Sequence, residues 1–277
     1  NVQEQGTFTN ESRVAELLGI DQLKEETSIN FSLGMTAKMG GFSLTIDAYN
    51  IVIDDRIVYS GSFGAGNSEE LQALFTAANA GSARFLVNAI DTKTQGVDVV
   101  LSYRTKWGSS SLNNSLGATF SKNEVTNVMI PSKIQAAGLS GAFFDGQEEA
   151  FLTLAQPRTK LALSNTLSME NGLSFSLRNV YYGTVTDPDD FAGDSRVEGT
   201  TVSDDAVYDA KIITDLSVSY PLSDVFRITV GANNLLDVYP TENRAGGQSN
   251  ASFPYSRRTS QFGFTGRYTF IRLGFTL

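Results

Sequence analysis

The sequence predicts an all-β protein, an antiparallel transmembrane β-barrel of which this chain supplies about nine strands. Three observations predict it. Nine stretches of the 277-residue chain alternate apolar and polar side chains with a period of two, the repeat of a strand with one dry and one wet face. Many of these stretches exceed ten residues, where soluble strands average about 5–6. The gaps between them alternate strictly between tight turns and long loops, the rhythm of a bacterial outer-membrane barrel with short periplasmic turns and long external loops. A soluble β-sandwich also alternates, but it has no reason to alternate its turn lengths.

Residues 1–26 read as a loop containing one short helical piece, Val14 to Leu18. The first strand, 27–37, sets Ile29, Phe31, Leu33, Met35 and Ala37 against Ser28, Asn30, Ser32, Gly34 and Thr36. Lys38-Met39-Gly40-Gly41 is a tight turn before the strand at 42–60. Loop 61–84 carries a helix over 68–81, with Ser68 as N-cap, Glu69 and Glu70 in the first turn and Gly81 past its end. Leu71, Leu74, Phe75 and Ala78 form its apolar stripe. Strands at 85–106 and 111–127 flank a short gap, and the long loop 128–156 follows. In 157–169, Leu161, Leu163 and Leu167 oppose Arg158, Lys160, Ala162, Ser164 and Thr166. Glu170-Asn171-Gly172 turns the chain into 173–186, and loop 187–208 leads to 209–221. There Ile212, Leu216, Val218 and Tyr220 oppose Lys211, Asp215, Ser217 and Ser219. Pro221 marks a strand end before Leu222-Ser223-Asp224. Strand 225–236 alternates Phe226, Ile228, Val230 and Ala232 with Arg227, Thr229, Gly231 and Asn233. Loop 237–264 precedes a closing strand at 265–277.

Composition narrows the chemistry. No histidine is present, so imidazole bases, Ser-His-Asp triads and histidine metal sites are impossible within the chain. No cysteine is present, which excludes disulfides and thiolate metal sites. A net charge of −9 argues against nucleic acid as a partner. No apolar run approaches the ~20 residues of a membrane helix, but barrel strands need only ~9–11 and hide their apolarity in alternate positions. A mean hydropathy of −0.12 fits a barrel with a wet interior. The chain opens Asn1-Val2-Gln3 without a leader, so it reads as a processed or partial segment. Nine strands that start outside and end at the periplasmic side do not close as a single-chain barrel, which has an even count. The expectation is an odd set of strands before Asn1.

Several segments resemble TonB-dependent outer-membrane receptors. Asn233-Asn234-Leu235-Leu236-Asp237-Val238-Tyr239-Pro240 is similar to the family's Asn-Leu-Phe-Asp-x-x-Tyr stretch at the end of the penultimate strand, with Leu236 in place of the aromatic. Gly266-Arg267-Tyr268 and the alternating run to Leu277 resemble the closing strand. Leu23-Lys24-Glu25-Glu26-Thr27-Ser28, then Asp47-Ala48-Tyr49-Asn50 with Ile53-Asp54-Asp55-Arg56-Ile57, then Thr94-Gln95-Gly96-Val97-Asp98, are similar to mid-barrel signatures in the family's order. Phe253-Pro254-Tyr255-Ser256-Arg257-Arg258 with Phe262-Gly263-Phe264 resembles receptors of Bacteroidota and related Gram-negative groups. The resemblance implies the last nine strands of a 22-stranded barrel. Its plug, which is not in this chain, would receive energy through TonB to import a scarce nutrient such as a siderophore, glycan or peptide. It implies residence in outer-membrane lipid, with 1–26 and the loops at 61–84, 128–156, 187–208 and 237–264 extracellular and the C-terminus periplasmic. A surface lipoprotein lid is a further possible partner.

Three residue sets are candidates for function. Asp47, Asp98, Arg158, Lys160, Arg178, Lys211, Asp215, Arg227 and Arg272 fall on the polar face, where charge costs little; they hydrate a lumen and dock a plug, or touch cargo. Loop aromatics Tyr59, Phe63, Phe143, Phe144, Phe191 and Tyr255 can stack on a sugar or an aromatic siderophore, or can serve as girdle and loop packing. Asp187, Asp189, Asp190 and Asp194 in the acidic loop can bind structural calcium through oxygen ligands, though their spacing is not that of an EF-hand; the alternative is a solvated surface. No other cofactor is expected. Competing classes are an autotransporter translocator, which needs an even strand set and a pore helix, a passive porin, and a soluble sugar-binding β-domain.

Overall fold

The structure, a computed structural model, describes residues 5–66, 68–144, 146–187, 206–242, 254–256 and 260–275. In chain order the elements are β1 (Gln5–Thr7), α1 (Arg13–Leu18), β2 (Thr27–Met39), β3 (Phe42–Tyr59), α2 (Glu69–Ala77), β4 (Ser82–Arg84), β5 (Leu86–Trp107) and β6 (Ser110–Val128). Then follow α3 (Ser132–Ala136), α4 (Ser140–Phe143), α5 (Gly146–Thr153), β7 (Thr159–Ser168), β8 (Ser174–Tyr182), β9 (Val185–Asp187) and β10 (Ala206–Tyr208). The chain finishes with β11 (Lys211–Pro221), β12 (Phe226–Asn233) and β13 (Tyr268–Phe275).

Nine strands form one sheet in the order β13-β12-β11-β8-β7-β6-β5-β3-β2, every neighbour antiparallel. All nine stretches of alternation are strands of this sheet. The sheet is open, and among the described residues β2 and β13 each have one neighbour only. Short turns set the registers. Gly40, at φ +57°, and Gly41 join Met39 to Phe42 as a two-residue hairpin, which needs the left-handed region.

The register sorts side chains into two faces. Leu33, Ala48, Val97, Phe120 and Thr159 form one cross-strand row on the apolar face, and Met35, Ile46, Val99, Ala118, Leu161 and Tyr181 form the next. This face is dry in composition yet exposed: Ile29 is 72% exposed, Leu33 70% and Ile271 72%. An apolar surface of this extent marks contact with lipid or another apolar phase. On β5 the apolar band runs from Trp107 to Val97, about 33 Å along the strand, which a tilt of ~35–45° reduces to the ~25 Å of an outer-membrane belt. At its turn end Phe42 stacks on Tyr103 at 4.2 Å and Trp107 ends the strand four residues further on, as in an interfacial aromatic girdle. Beyond Val97 the same face turns polar, with Gln95 and Lys93 opposite Lys122 and Glu124.

At the long-loop end the connections build a hydrophobic core of their own. Val14, Ala15, Leu18, Phe63, Leu71, Phe75, Phe85, Ile90, Ile134 and Phe143 pack into one buried cluster over the ends of β3 to β6. Residues 1–26, expected as a loop with a helical piece at Val14 to Leu18, contain that helix as α1, capped by Ser12 and ended by left-handed Gly19, and also contribute β1, which pairs parallel with β4. Helix α2 has the expected Ser68 cap, whose Oγ accepts from Leu71 N at 3.2 Å. It ends at Ala77 rather than near Gly81, because Asn79 takes the positive φ (+52°) that terminates the turn.

Several strands are shorter at the long-loop end than their alternation suggests. Strand 173–186 stops at Tyr182, and Val185–Asp187 pairs separately with Ala206–Tyr208. Strand 225–236 stops at Asn233, because Asn234 turns left-handed at φ +49°. In the closing strand the described ladder is Tyr268–Phe275, and Leu277 lies outside the described residues.

Candidate functional site

The polar face is an ordered array rather than a scatter of hydrophilic residues. One row crosses seven strands: Gly34, Asp47, Asp98, Thr119, Lys160, Tyr182 and Lys211 are direct cross-strand partners in turn. Asp47 and Asp98 stand opposite each other, a like-charge pair that costs stability unless each finds a donor. Thr119 Oγ1 donates to Asp98 Oδ1 at 2.7 Å, and the Asp47 carboxylate lies over Gly34, where a Cβ would collide with it. At the other end Lys160 Nζ sits 5.1 Å from the centre of the Tyr182 ring. Tyr182 in turn packs on Phe262 at 5.6 Å.

Eight of the nine polar-face candidates fall on this one side of the sheet by register, and Arg158 immediately precedes β7, outside the ladder. Arg178 and Asp215 are cross-strand partners with Nη1 and Oδ2 3.6 Å apart. Lys211 is opposite Tyr182, and Arg272 is opposite Thr229 with its guanidinium 5.4 Å from the Phe270 ring. Arg227 Nη1 reaches Ser219 Oγ at 3.5 Å, and the Arg158 carbonyl accepts from Ser121 N. Lys38, Arg104 and Lys106 share the face and were not among the candidates, although the parity of their strands places them there.

The rim where β3 and β5 reach the long loops is held by a polar network that alternation does not reveal. β3 carries a bulge between Ile53 and Arg56, with Asp55 at φ +55°. Asn88 donates to the carbonyls of Asp55 (2.6 Å) and Lys24 (3.0 Å) and accepts from Lys24 N (2.8 Å). Lys24 Nζ contacts Asp55 Oδ1 at 2.6 Å, Asp55 N donates to Asp91, and Ile57 N donates to Glu26. A 340 Å³ cavity borders this network, lined in part by Gln22, Asn88, Met129 and Phe143.

The loop aromatics divide. Phe63, Phe143 and Phe144 are 1%, 2% and 8% exposed and pack within the loop core, Phe63 meeting Phe85 edge-on at 6.0 Å, while Phe143 also walls the cavity. Tyr59 is 44% exposed, with the Arg84 guanidinium 4.1 Å over its ring; Arg84 also donates to Glu148 Oε1 at 2.9 Å. Tyr255 is stacked between Tyr239 (6.1 Å, 6°) and Phe264 (6.3 Å, 17°). The charge of Asp237 beside it holds the Tyr239 phenol above the usual tyrosine range. Phe191, Asp189, Asp190 and Asp194 lie outside the described residues, and of Asp187 only the backbone, in β9, is described. Among the described residues no group of three or more acidic side chains is placed to hold a metal.

The stretch 233–240 is a structural knot. Asn234 N donates to Asp215 Oδ1 at 2.8 Å, its side chain exchanges two hydrogen bonds with Val238, and Leu235 N donates to the Thr214 carbonyl. Asp237 Oδ1 then accepts from Arg267 N at 2.7 Å, and Tyr239 Oη lies against Gly266. These residues tie the exit of β12 to the approach of β13.

The family model described as "TonB dependent receptor-like, beta-barrel" matches residues 5–235. No curated protein sequence matches the chain. Among solved structures, the outer membrane transporter YddB from Escherichia coli is 12% identical, with a TM-score of 0.60 over 99% of this chain and 34% of that one. The FrpB iron transporter from Neisseria meningitidis is 18% identical, with a TM-score of 0.58 over 92% of this chain and 31% of that one. The ferripyoverdine receptor of the outer membrane of Pseudomonas aeruginosa is 13% identical, with a TM-score of 0.54 over 92% of this chain and 28% of that one. The chain thus spans about a third of the length of these structures.

Proposed function

The chain belongs to the TonB-dependent receptor β-barrel family, and from that premise we propose that it is part of the wall of an outer-membrane receptor that binds a scarce nutrient outside the cell and imports it with energy delivered through TonB. The observation that carries this reading is the two-faced sheet. An exposed apolar belt of bilayer height backs onto a charged polar face, and folded loops gather at one end. In this reading the polar face lines the lumen and meets the plug. The folded loops stand outside the cell and the short turns face the periplasm.

Cargo is proposed only at the level of class. The ferripyoverdine receptor and the iron transporter share the fold at low identity, so an iron chelate is one candidate beside glycans and peptides. Of the aromatic candidates, Tyr59 keeps exposed surface for it, and Tyr255 belongs to a stack whose other rings, Tyr239 and Phe264, are exposed. A surface lipoprotein lid is a further proposed partner.

Uptake assays in the native bacterium test the proposal. Cells carrying the gene are expected to accumulate a limiting nutrient, and accumulation is expected to stop when TonB is deleted or the proton-motive force is collapsed. Accumulation that survives both treatments would make the barrel a passive porin instead.

A further inference from the structure

The apolar face of the sheet is interrupted by a patch of amides. Asn114 on β6 and Asn165 on β7 are direct cross-strand partners on this face, and Asn179 on β8 and Thr214 on β11 are partners in the neighbouring row. Each asparagine breaks the alternation of its own strand. Leu112 and Leu116 flank Asn114, Leu163 and Leu167 flank Asn165, and Leu177 and Tyr181 flank Asn179. The patch therefore lies inside the apolar belt, unlike Asn50 and Gln95, which pair where the belt gives way to the polar rim. Thr214 Oγ1 donates to Asn179 Oδ1 at 2.8 Å. The N–H groups of all three amides, and the side-chain oxygens of Asn114 and Asn165, have no hydrogen-bond partner among the described residues.

Hydrocarbon offers these amides nothing to bond, and a polar group taken from water without a partner is costly. An occupant that relieves them must reach the middle of the belt, which a lipid headgroup does not, and must bring both donors and acceptors. A primary amide is both at once, so the patch is its own complement. A two-fold axis close to Asn165 sets each amide against an amide of a second barrel, the self-matched contact of the commonest oligomers. We propose that this strip of the wall, from β6 through β7 and β8 to β11, is the contact between two copies of the receptor side by side in the membrane, with the amides of Asn114, Asn165 and Asn179 hydrogen-bonded across it. Four strands ~4.8 Å apart and a belt ~25 Å tall give each copy a footprint of about 480 Å². The pair buries about 1,000 Å², the size at which specific interfaces begin. The proposal rests on the barrel reading, which places this face against lipid.

In the intact receptor, otherwise free of cysteine, N165C and L44C are each checked for heat-modifiable gel migration and then oxidised in the native outer membrane. Leu44 lies on the same face of β3, outside the strip. On non-reducing gels N165C is expected to give a disulfide-linked pair of receptors, and L44C to stay single. Adding N114L and N179L to N165C should cut the pair about tenfold, because the amides supply the preference for this strip. An unlinked N165C, equal linking at both positions, or a pair undiminished by the added leucines overturns the proposal. A link from N165C to a protein of another mass does so too, by giving the patch a different partner. If N165C loses heat-modifiable migration, native mass spectrometry of the wild type against N114L/N165L/N179L decides. A dimer lost in that variant upholds the proposal, and one mass for both overturns it. Absence of heat-modifiable migration in the wild type would instead defeat the barrel reading itself.

Discussion

At the residue scale, cross-strand glycines matter because large neighbours lie across them. Tyr49 folds over its partner Gly96 and leaves no room for a side chain; a Cβ at Gly96 would also sit 2.8 Å from the Phe120 carbonyl oxygen. Phe270 covers Gly231 in the same way, an aromatic shielding a strand glycine. Gly96→Val should therefore destabilise the wall by about 1–3 kcal/mol through overpacking, read as a lower urea midpoint for loss of the heat-modifiable band. Gly117, on the same face with nothing within 4 Å, is the control and should accept alanine with little change. The glycine in Thr94-Gln95-Gly96-Val97-Asp98 was legible in the sequence as part of a signature. Its physical reason was not, because the tyrosine that needs the space is 47 positions earlier in the chain.

At the scale of elements, the nine strands were legible because a period of two is a local signal, repeated along 8–22 residues of each strand. The parallel pairing of β1 with β4 was not, since it joins residues more than seventy positions apart through three-residue strands with no alternation to display. The fate of the loop aromatics was hidden for the same reason. Phe63 and Phe143 look like free aromatic loop residues until α1 to α4 close around them. Phe143→Ala should cost the loop core about 3–5 kcal/mol and leave the wall intact. Limited proteolysis is expected to cut within 61–84 and 128–156 in this variant, while heat-modifiable migration is retained. Simultaneous loss of both would mean that loops and wall fold as one unit.

At the scale of the whole molecule, the two faces meet different solvents. Leu101 lies on the apolar face, in the row with Leu44 and Leu116, and Ser102 lies on the polar face between Ser43 and Ser115. L101R should destabilise the membrane-inserted protein by about 2–4 kcal/mol, while S102R, one residue away, should cost close to nothing. Equilibrium unfolding from lipid vesicles compares the two directly. The sign of the difference follows from which face meets lipid, a property that alternation exposes but cannot orient. The net charge of −9 also concealed the basic polar face, because composition averages over surfaces that the register separates.

The most direct test of the account uses the absence of cysteine from this chain. Single cysteines are introduced in turn from Val97 to Tyr103 on β5, in the receptor in its own outer membrane, and each is spin-labelled for collision with oxygen and with a water-soluble nickel chelate. A membrane-spanning wall gives a period of two. Labels at 97, 99, 101 and 103 should collide with oxygen in the bilayer, and labels at 98, 100 and 102 should be shielded from lipid and quenched by the chelate where the lumen is wet. Seven positions with one uniform accessibility, or water contact on both faces, would contradict a membrane-spanning wall.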